Sequence, residues 1–301
     1  MKLKENTTYH YDDDSECLTI INGTKMYSIK DTNQKYHWML QHNLFSDEMK
    51  AFLLKNNLID NLSDDMTVNS RSWFYFRDRL LSTVKSARPI KNILKNQCFI
   101  IIGCGGIGTV VLDNLIRMGF ENFTIVDGDI VEKSNLNRQL FYTCYDVGQS
   151  KVKILKDRLQ QYSFNDIKIH SCKKYIKNST DLASIAYDES EKKVLVVNCA
   201  DTPFDLVNVI GNFCMQKKYT FVYAGVGIET GTISPIYDGK NPYKVIDVSK
   251  ERTLTGSISS NNMITGAMLS QKIMDYLFKQ YFVLNKEIYK ENIITFDKFG
   301  N

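Results

Sequence analysis

Between Cys98 and Asp201 the chain sets glycines, carboxylates, amides and cations in an order suited to a phosphorylated ligand. Gly103-Cys104-Gly105-Gly106-Ile107-Gly108 stands between an apolar run and a helical pattern. Gly103, Gly105, Gly106 and Gly108 permit a tight turn and let backbone N–H groups approach a phosphate, and the helix N-terminus adds the positive end of its dipole. A glycine-rich turn alone leaves dinucleotide and mononucleotide binding equally open. Asp127 ends the next apolar run, about 20 residues after the glycines, where an acid binds ribose hydroxyls; capping of a strand end is the plainer reading. Asp127-Gly128-Asp129 then leads to Asn135-Leu136-Asn137-Arg138-Gln139, and Asp146-Val147-Gly148-Gln149-Ser150-Lys151 opens a helix. A further apolar run, Val194–Asp201, ends in Asp201, whose plainer reading is an N-cap ahead of Thr202-Pro203.

The elements that must position these residues alternate. CFIIIG from Cys98 is a continuous apolar strand, as a parallel strand buried on both faces requires. Val110–Met118 is helical, FTIVD (Phe123–Asp127) a second strand, and Lys151–Tyr162 helical again. KIHSC (Lys168–Cys172), VLVVNCAD (Val194–Asp201) and TFVYAGV (Thr220–Val226) continue the strands, Asn262–Phe282 is a long amphipathic helix, and ITF near Phe296 is a closing strand. This alternation predicts an α/β fold, a doubly wound, Rossmann-like, mostly parallel sheet over residues 98–301. Residues 1–62 read as a small winged-helix-like α+β domain. Tyr9–Tyr11, Cys17–Ile21 and Thr24–Lys30 are its strands, with the hairpin signal Asn22-Gly23 between the last two. Tyr36, Met39 and Leu40 share one helical face, and Ser46 is the N-cap of a second helix carrying Met49, Phe52 and Leu53. Residues 63–97 are a connector with the aromatic stretch Ser70–Phe76.

Composition narrows the function classes. The 301 residues carry 38 Lys+Arg against 34 Asp+Glu, a net charge of +4, too weak to suggest nucleic-acid binding by charge alone. With 43% hydrophobic residues the chain builds a real core rather than staying disordered. No run approaches the ~18 apolar residues of a membrane span, and the N-terminus lacks the apolar stretch of a secretory signal. Seven scattered cysteines, none in a C-x-x-C pair, argue for reduced thiols, against a four-cysteine zinc site, and for the cytoplasm.

The combination over residues 98–201 resembles the adenylating enzymes of the ThiF, MoeB and ubiquitin-activating family. Five features of that family occur here in order: the glycine loop, the Asp-x-Asp strand end, Asn-Leu-x-Arg-Gln, the Gly-x-x-Lys helix start and a later strand ending in Asp. The resemblance implies attack of a carboxylate on the α-phosphorus of Mg-ATP, giving an acyl-adenylate and pyrophosphate. It implies that Arg138 contacts the triphosphate, Lys151 the α-phosphate, Asp127 the ribose, and that Asp201 holds Mg²⁺. Asp129, Asn135 and Gln139 would line the nucleotide. The family also draws an arginine from a second subunit, from an Arg-x-x-Arg-aromatic stretch. Arg71 stands at that position although Val68 replaces the first arginine, and the pattern implies a homodimer. Zinc-binding members carry two C-x-x-C pairs in the C-terminal half, which this chain lacks. No cysteine lies between Gly225 and Phe278, which disfavours thioester transfer of a ubiquitin-like protein.

A small β unit ahead of such a domain resembles the precursor-peptide recognition element of enzymes that modify ribosomally made peptides. There a leader peptide adds as a strand to an exposed sheet edge and packs against a helix. The edge expected here is Thr24, Met26, Ser28 and Lys30, facing Phe52 and Leu53. The two-part layout is similar to peptide-activating enzymes of the microcin C and pantocin A kinds, the zinc-free layout being nearer the second. It implies activation of a glutamate side chain of the peptide, then attack by a nucleophile of the same peptide. The segment Gly227–Gly256 is expected as a loop over the substrate, with Lys244, Lys250 and Arg252 available to an acidic peptide. Adenylation of a peptide C-terminus, adenylation of a sulfur carrier and a non-catalytic peptide-binding role remain alternatives. So do a tRNA-modifying dehydratase and an NAD-dependent dehydrogenase, and for residues 1–62 a dimerisation or DNA-binding domain.

Overall fold

The computed structural model describes residues 2–62, 71–161, 166–185, 193–247, 256–283 and 286–296. Contacts divide the chain into two units, Met1–Ile90 with Phe278–Leu284, and Lys91–Leu277 with Asn285–Asn301.

The first unit contains β1 (Lys2–Leu3), β2 (Thr7–Asp12), β3 (Cys17–Asn22), β4 (Lys25–Lys30), α1 (Lys35–His42), α2 (Asp47–Lys55), β5 (Ile59–Asp60) and α3 (Arg71–Arg79). Strands β2, β3 and β4 form an antiparallel sheet in that order, and β1 pairs with β5. Alternation along β3 sends Leu18 and Ile20 inward, where they pack on Leu40 of α1, Met49 and Leu53 of α2, and Leu58 and Ile59. The β3–β4 turn is Gly23-Thr24, since Asn22 pairs with Lys25; Gly23 has φ +61°, which explains glycine there although a Cβ would have room. Thr24 therefore lies in the turn, one residue before the strand. Ser46 caps α2 as expected: its hydroxyl accepts the Met49 N–H at 3.2 Å, with Asp47 and Glu48 in the first turn. The buried Asp31 carboxylate takes the N–H groups of Tyr36 and His37 (3.1 and 2.8 Å) and so satisfies the start of α1.

Helix α4 (Arg88–Asn96) leads to the second unit, which runs β6 (Cys98–Ile102), α5 (Gly106–Arg117), β7 (Asn122–Val126), α6 (Lys151–Leu159), β8 (Lys168–Cys172), α7 (Ser179–Ala183), β9 (Val194–Asn198), α8 (Leu206–Lys217), β10 (Thr220–Val226), β11 (Thr230–Ile233), α9 (Ser259–Leu277) and β12 (Asn292–Thr295). Its sheet has the order β12-β11-β10-β9-β6-β7-β8. The strands from β10 to β8 are parallel, and β11 and β12 add antiparallel at one edge. The fold is thus α/β with a mostly parallel sheet. One strand face packs Ile100, Ile102, Val196 and Phe221 against Leu206, Ile210 and Phe213 of α8. Helices α5 and α9 approach closely through Gly266, where a Cβ would stand 2.8 Å from Val110. Sequence runs β6-β7-β8 and β9-β10 grow from β6 in opposite directions, so the order reverses between β6 and β9. Such a switch point opens a crevice at the strand C-termini, where ligands of open α/β sheets bind. The segment expected as a loop over the substrate, Gly227–Gly256, contains β11; residues 248–255, with Lys250 and Arg252, lie outside the described residues, and Lys244 is exposed.

Candidate active site

The glycine loop fills the switch point. Gly103 has φ +91°, and a Cβ there would lie 2.7 Å from the Ala200 nitrogen, so the loop after β6 presses directly on the loop after β9. At Gly108 a Cβ would meet the Gly103 carbonyl oxygen at 1.9 Å, and at Gly106 the Asn262 Oδ1 at 2.2 Å. At Gly105, the N-cap of α5, the nearest neighbour of a Cβ would be Gln139 Nε2 at 3.6 Å. Three of these glycines are demanded by packing, whereas Gly105 is demanded by nothing nearby and leaves room for a ligand. Cys104 lies within the loop and Cys199 packs against it. Burial pushes the Cys199 thiol up to about 12 and also raises Cys104, so both stay protonated and serve as apolar filler.

Asp127 binds the loop from the end of β7. Its Oδ2 accepts the Cys104 N–H at 2.7 Å and its Oδ1 the Asp129 N–H at 2.8 Å. Asp129 pairs with the buried Lys151 ammonium at 2.9 Å and accepts the Tyr175 hydroxyl at 2.8 Å. Burial opposes ionisation of Asp129, but the Lys151 ammonium and the Tyr175 hydroxyl outweigh it and hold the carboxyl below its ordinary value. Lys151 begins α6, whose first N–H donates to the Asp129 carbonyl.

The turn between β7 and α6 carries the amides. Asn135 is buried, and its Oδ1 accepts the Glu132 N–H at 3.0 Å, closing a 3-10 turn at Lys133–Asn135. In this arrangement it shapes the turn. Arg138 is half-buried and donates through Nη1 to the Ser134 carbonyl and to Asn137 Oδ1, both at 2.8 Å. Gln139 is buried, its Nε2 faces Gly105, and its Oε1 has no hydrogen-bond partner among the described residues. Asp201 follows β9 and is exposed; Thr202 donates to its Oδ1 at 3.3 Å. The structure thus brings the glycine loop, Asp127, Asp129, Lys151, Gln139 and the loop leading to Asp201 to one edge of the sheet. Asn262, Tyr175 and the orphan hydroxyl of Ser150 complete this neighbourhood. The sequence offered no spacing signal for Tyr175, a lone aromatic after β8. The Asn262 contact was hidden because it comes from a helix far along the chain.

A model of the ThiF family matches residues 75–301. The chain belongs to the ThiF family. Among curated proteins, SUMO-activating enzyme subunit 2 of Dictyostelium discoideum is 30% identical over 141 residues, 47% of this chain and 20% of that protein. A probable molybdopterin-synthase adenylyltransferase of Porphyra purpurea is 26% identical over 217 residues, 68% of this chain and 55% of that protein. The chain therefore spans from a fifth to about half the length of these ThiF-type relatives. Among solved structures, E. coli MccB with MccA-N7isoASN superposes with a TM-score of 0.81 at 20% identity, covering 99% of this chain and 94% of MccB. At that identity the likeness is one of fold, and it extends beyond the ThiF match to the first unit.

The remaining expected residues lie in that first unit. Arg71 is exposed at the start of α3, while Ser70 and Val68 fall outside the described residues. Among the described residues β4 pairs only with β3 and leaves its other edge unpaired. Met26, Ser28 and Lys30 point to the exposed face of β4, Met26 at 69% exposure, while Tyr27 and Ile29 turn to the core. Phe52 is half-buried and meets Tyr27 edge-on at 5.7 Å. Leu53 is fully buried among Leu18, Ile20 and Leu58, so it supports α2 from within and offers no surface to a peptide. Among the described residues no helix is long and apolar enough to cross a membrane.

Proposed function

We propose that this chain is an ATP-dependent adenylating enzyme acting on a ribosomally made precursor peptide. The observation that carries the reading is the meeting of the glycine loop, Asp127 and the Asp129–Lys151 pair at the switch point, in a chain whose first unit presents an open strand edge. Backbone N–H groups at the start of α5 would hold phosphate oxygens. Arg138 and Lys151 would offset the charge that gathers as a substrate carboxylate oxygen attacks the α-phosphorus and the bond to the β-phosphate oxygen breaks. Pyrophosphate leaves, and the acyl-adenylate is then attacked at its carbonyl carbon by a nucleophile of the peptide, with loss of AMP. The names of the relatives, an activating enzyme subunit and an adenylyltransferase, support this chemistry, and MccB has been solved with ATP.

Asp201 fits a role toward Mg²⁺: it is an exposed carboxylate engaged only by the Thr202 hydroxyl among the described residues. Mg²⁺ keeps several waters and takes one or two carboxylates together with phosphates, and when bound it would screen charge on the triphosphate. Arg71 is proposed to act in the site of a second subunit, making the enzyme a homodimer. The cytoplasm, where free cysteines persist, is the proposed compartment.

The first unit is proposed to take the leader of the peptide as an added strand on β4, over Met26, Ser28 and Lys30 and against Phe52. MccB has been solved with its peptide MccA, which supports a peptide substrate for a chain of the same fold. The carboxylate proposed is a glutamate side chain of the peptide, with the peptide C-terminus as the second reading. Asp201→Ala should abolish pyrophosphate release and leave peptide capture intact. Met26→Glu with Phe52→Ala should weaken peptide capture about tenfold and leave ATP binding intact. Equal loss of both properties in each variant contradicts the division of labour.

A further inference from the structure

Resting on the ATP-binding reading, we infer that Tyr175 is the base-binding residue of the nucleotide site: its ring, pinned on Gly128 and Asp129, is the platform on which the purine stacks. The order of groups along the C-terminal edge of the sheet supports this. Neighbouring strands β9, β6, β7 and β8 end in turn at Asp201, the glycine loop, Asp127 and the segment carrying Tyr175. Phosphates belong at the glycine loop and the ribose at Asp127, so the base extends further in the same direction, toward the end of β8.

The ring is held there from two sides. A Cβ on Gly128 would stand 2.5 Å from Tyr175 ring carbons, so the ring lies flat against the backbone between Asp127 and Asp129, and the absence of a side chain at position 128 makes its seat. The hydroxyl donates to Asp129 Oδ1 at 2.8 Å. Even so, Tyr175 remains 59% exposed, a large value for an aromatic ring with two anchors. A fixed ring with an open face next to a ribose-binding acid is the arrangement that base stacking uses, and stacking tolerates any base with a π-face. Tyr175 thus adds affinity for the nucleoside end of ATP and little for the phosphates.

The test is titration of the full-length protein and its Tyr175→Ala and Tyr175→Phe variants with ATP and, separately, with inorganic tripolyphosphate. Tyr175→Ala should weaken ATP about tenfold and leave tripolyphosphate affinity unchanged; Tyr175→Phe, which keeps the ring, should stay within about threefold of the parent. Thermal melting of each variant checks folding, which an exposed side chain should disturb little. An unchanged ATP affinity in Tyr175→Ala overturns the inference. So does an equal loss of ATP and tripolyphosphate, which would place the effect in the Asp129–Lys151 pair. Failure of the parent protein to bind ATP would instead overturn the adenylation reading itself.

Discussion

The Lys151 ammonium lies 2.9 Å from the Asp129 carboxylate and ties the first turn of α6 to the loop after β7. The pair has a pH signature. Asp129 is held below its ordinary pKa, so its stabilisation is complete above the unfolded-chain value, about 4, and is lost as pH falls through the lower folded value. Asp129→Asn should therefore lower stability near neutral pH, and the loss should shrink as pH falls below about 4. Urea denaturation of both proteins across this range checks it, and a gap that stays constant with pH contradicts it.

The glycines of the loop should separate into two kinds. Gly108→Ala drives a methyl into the Gly103 carbonyl and should lower both stability and ATP affinity. Gly105→Ala finds its nearest neighbour at 3.6 Å and should melt within a few degrees of the parent, while crowding a bound phosphate. Melting curves with and without ATP distinguish the two.

Much of this arrangement was legible from local pattern. The apolar runs at Cys98–Ile102, Asn122–Val126 and Val194–Asn198 are buried strands, and the glycine loop sits between strand and helix as its spacing required. What was not legible depends on tertiary neighbours. Strand β11 is four residues long with an internal glycine, too short to show a period inside a segment read as loop. Phe52 and Leu53 share one helical stripe, and only packing against β3 decides which of them is surface. Tyr175 reaches the site from a segment with no motif of its own, and the contact of Asn262 with Gly106 spans a sequence distance that no local pattern shows.

Leu53 and Phe52 accordingly make opposite predictions. Leu53→Ala should cost about 2–5 kcal/mol of stability by opening a cavity under β3. Phe52→Ala, from a half-buried position, should cost less and instead weaken peptide capture. Denaturation midpoints paired with peptide titration read both effects.

Lys272, in the middle of α9, is buried and donates to the Ser234 carbonyl at 2.8 Å, to Asn292 Oδ1 at 2.7 Å and to the Lys290 carbonyl. It pins the antiparallel edge of the sheet. Burial pushes its pKa down to about 8, against the opposing pull of Glu287 and Glu291. Lys272→Met should cost about 1–3 kcal/mol, because the buried Ser234 carbonyl, the Lys290 carbonyl and Asn292 Oδ1 lose their donor. A folded pKa below the unfolded one makes this group's contribution rise with pH, from about 8 up to about 10.4. The stability gap between parent and Lys272→Met should widen over that window, and a gap that narrows there contradicts the assignment.

The central claim is adenylation of a peptide carboxylate, and pyrophosphate release from Mg-ATP tests it most directly. The parent protein should release pyrophosphate with a short peptide encoded beside its gene and stay silent with a ubiquitin-like carrier ending in Gly-Gly. The peptide product should carry either an adenylate or the mass loss of an internal dehydration. Release with the carrier alone, or with neither substrate while ATP is bound, would contradict the account.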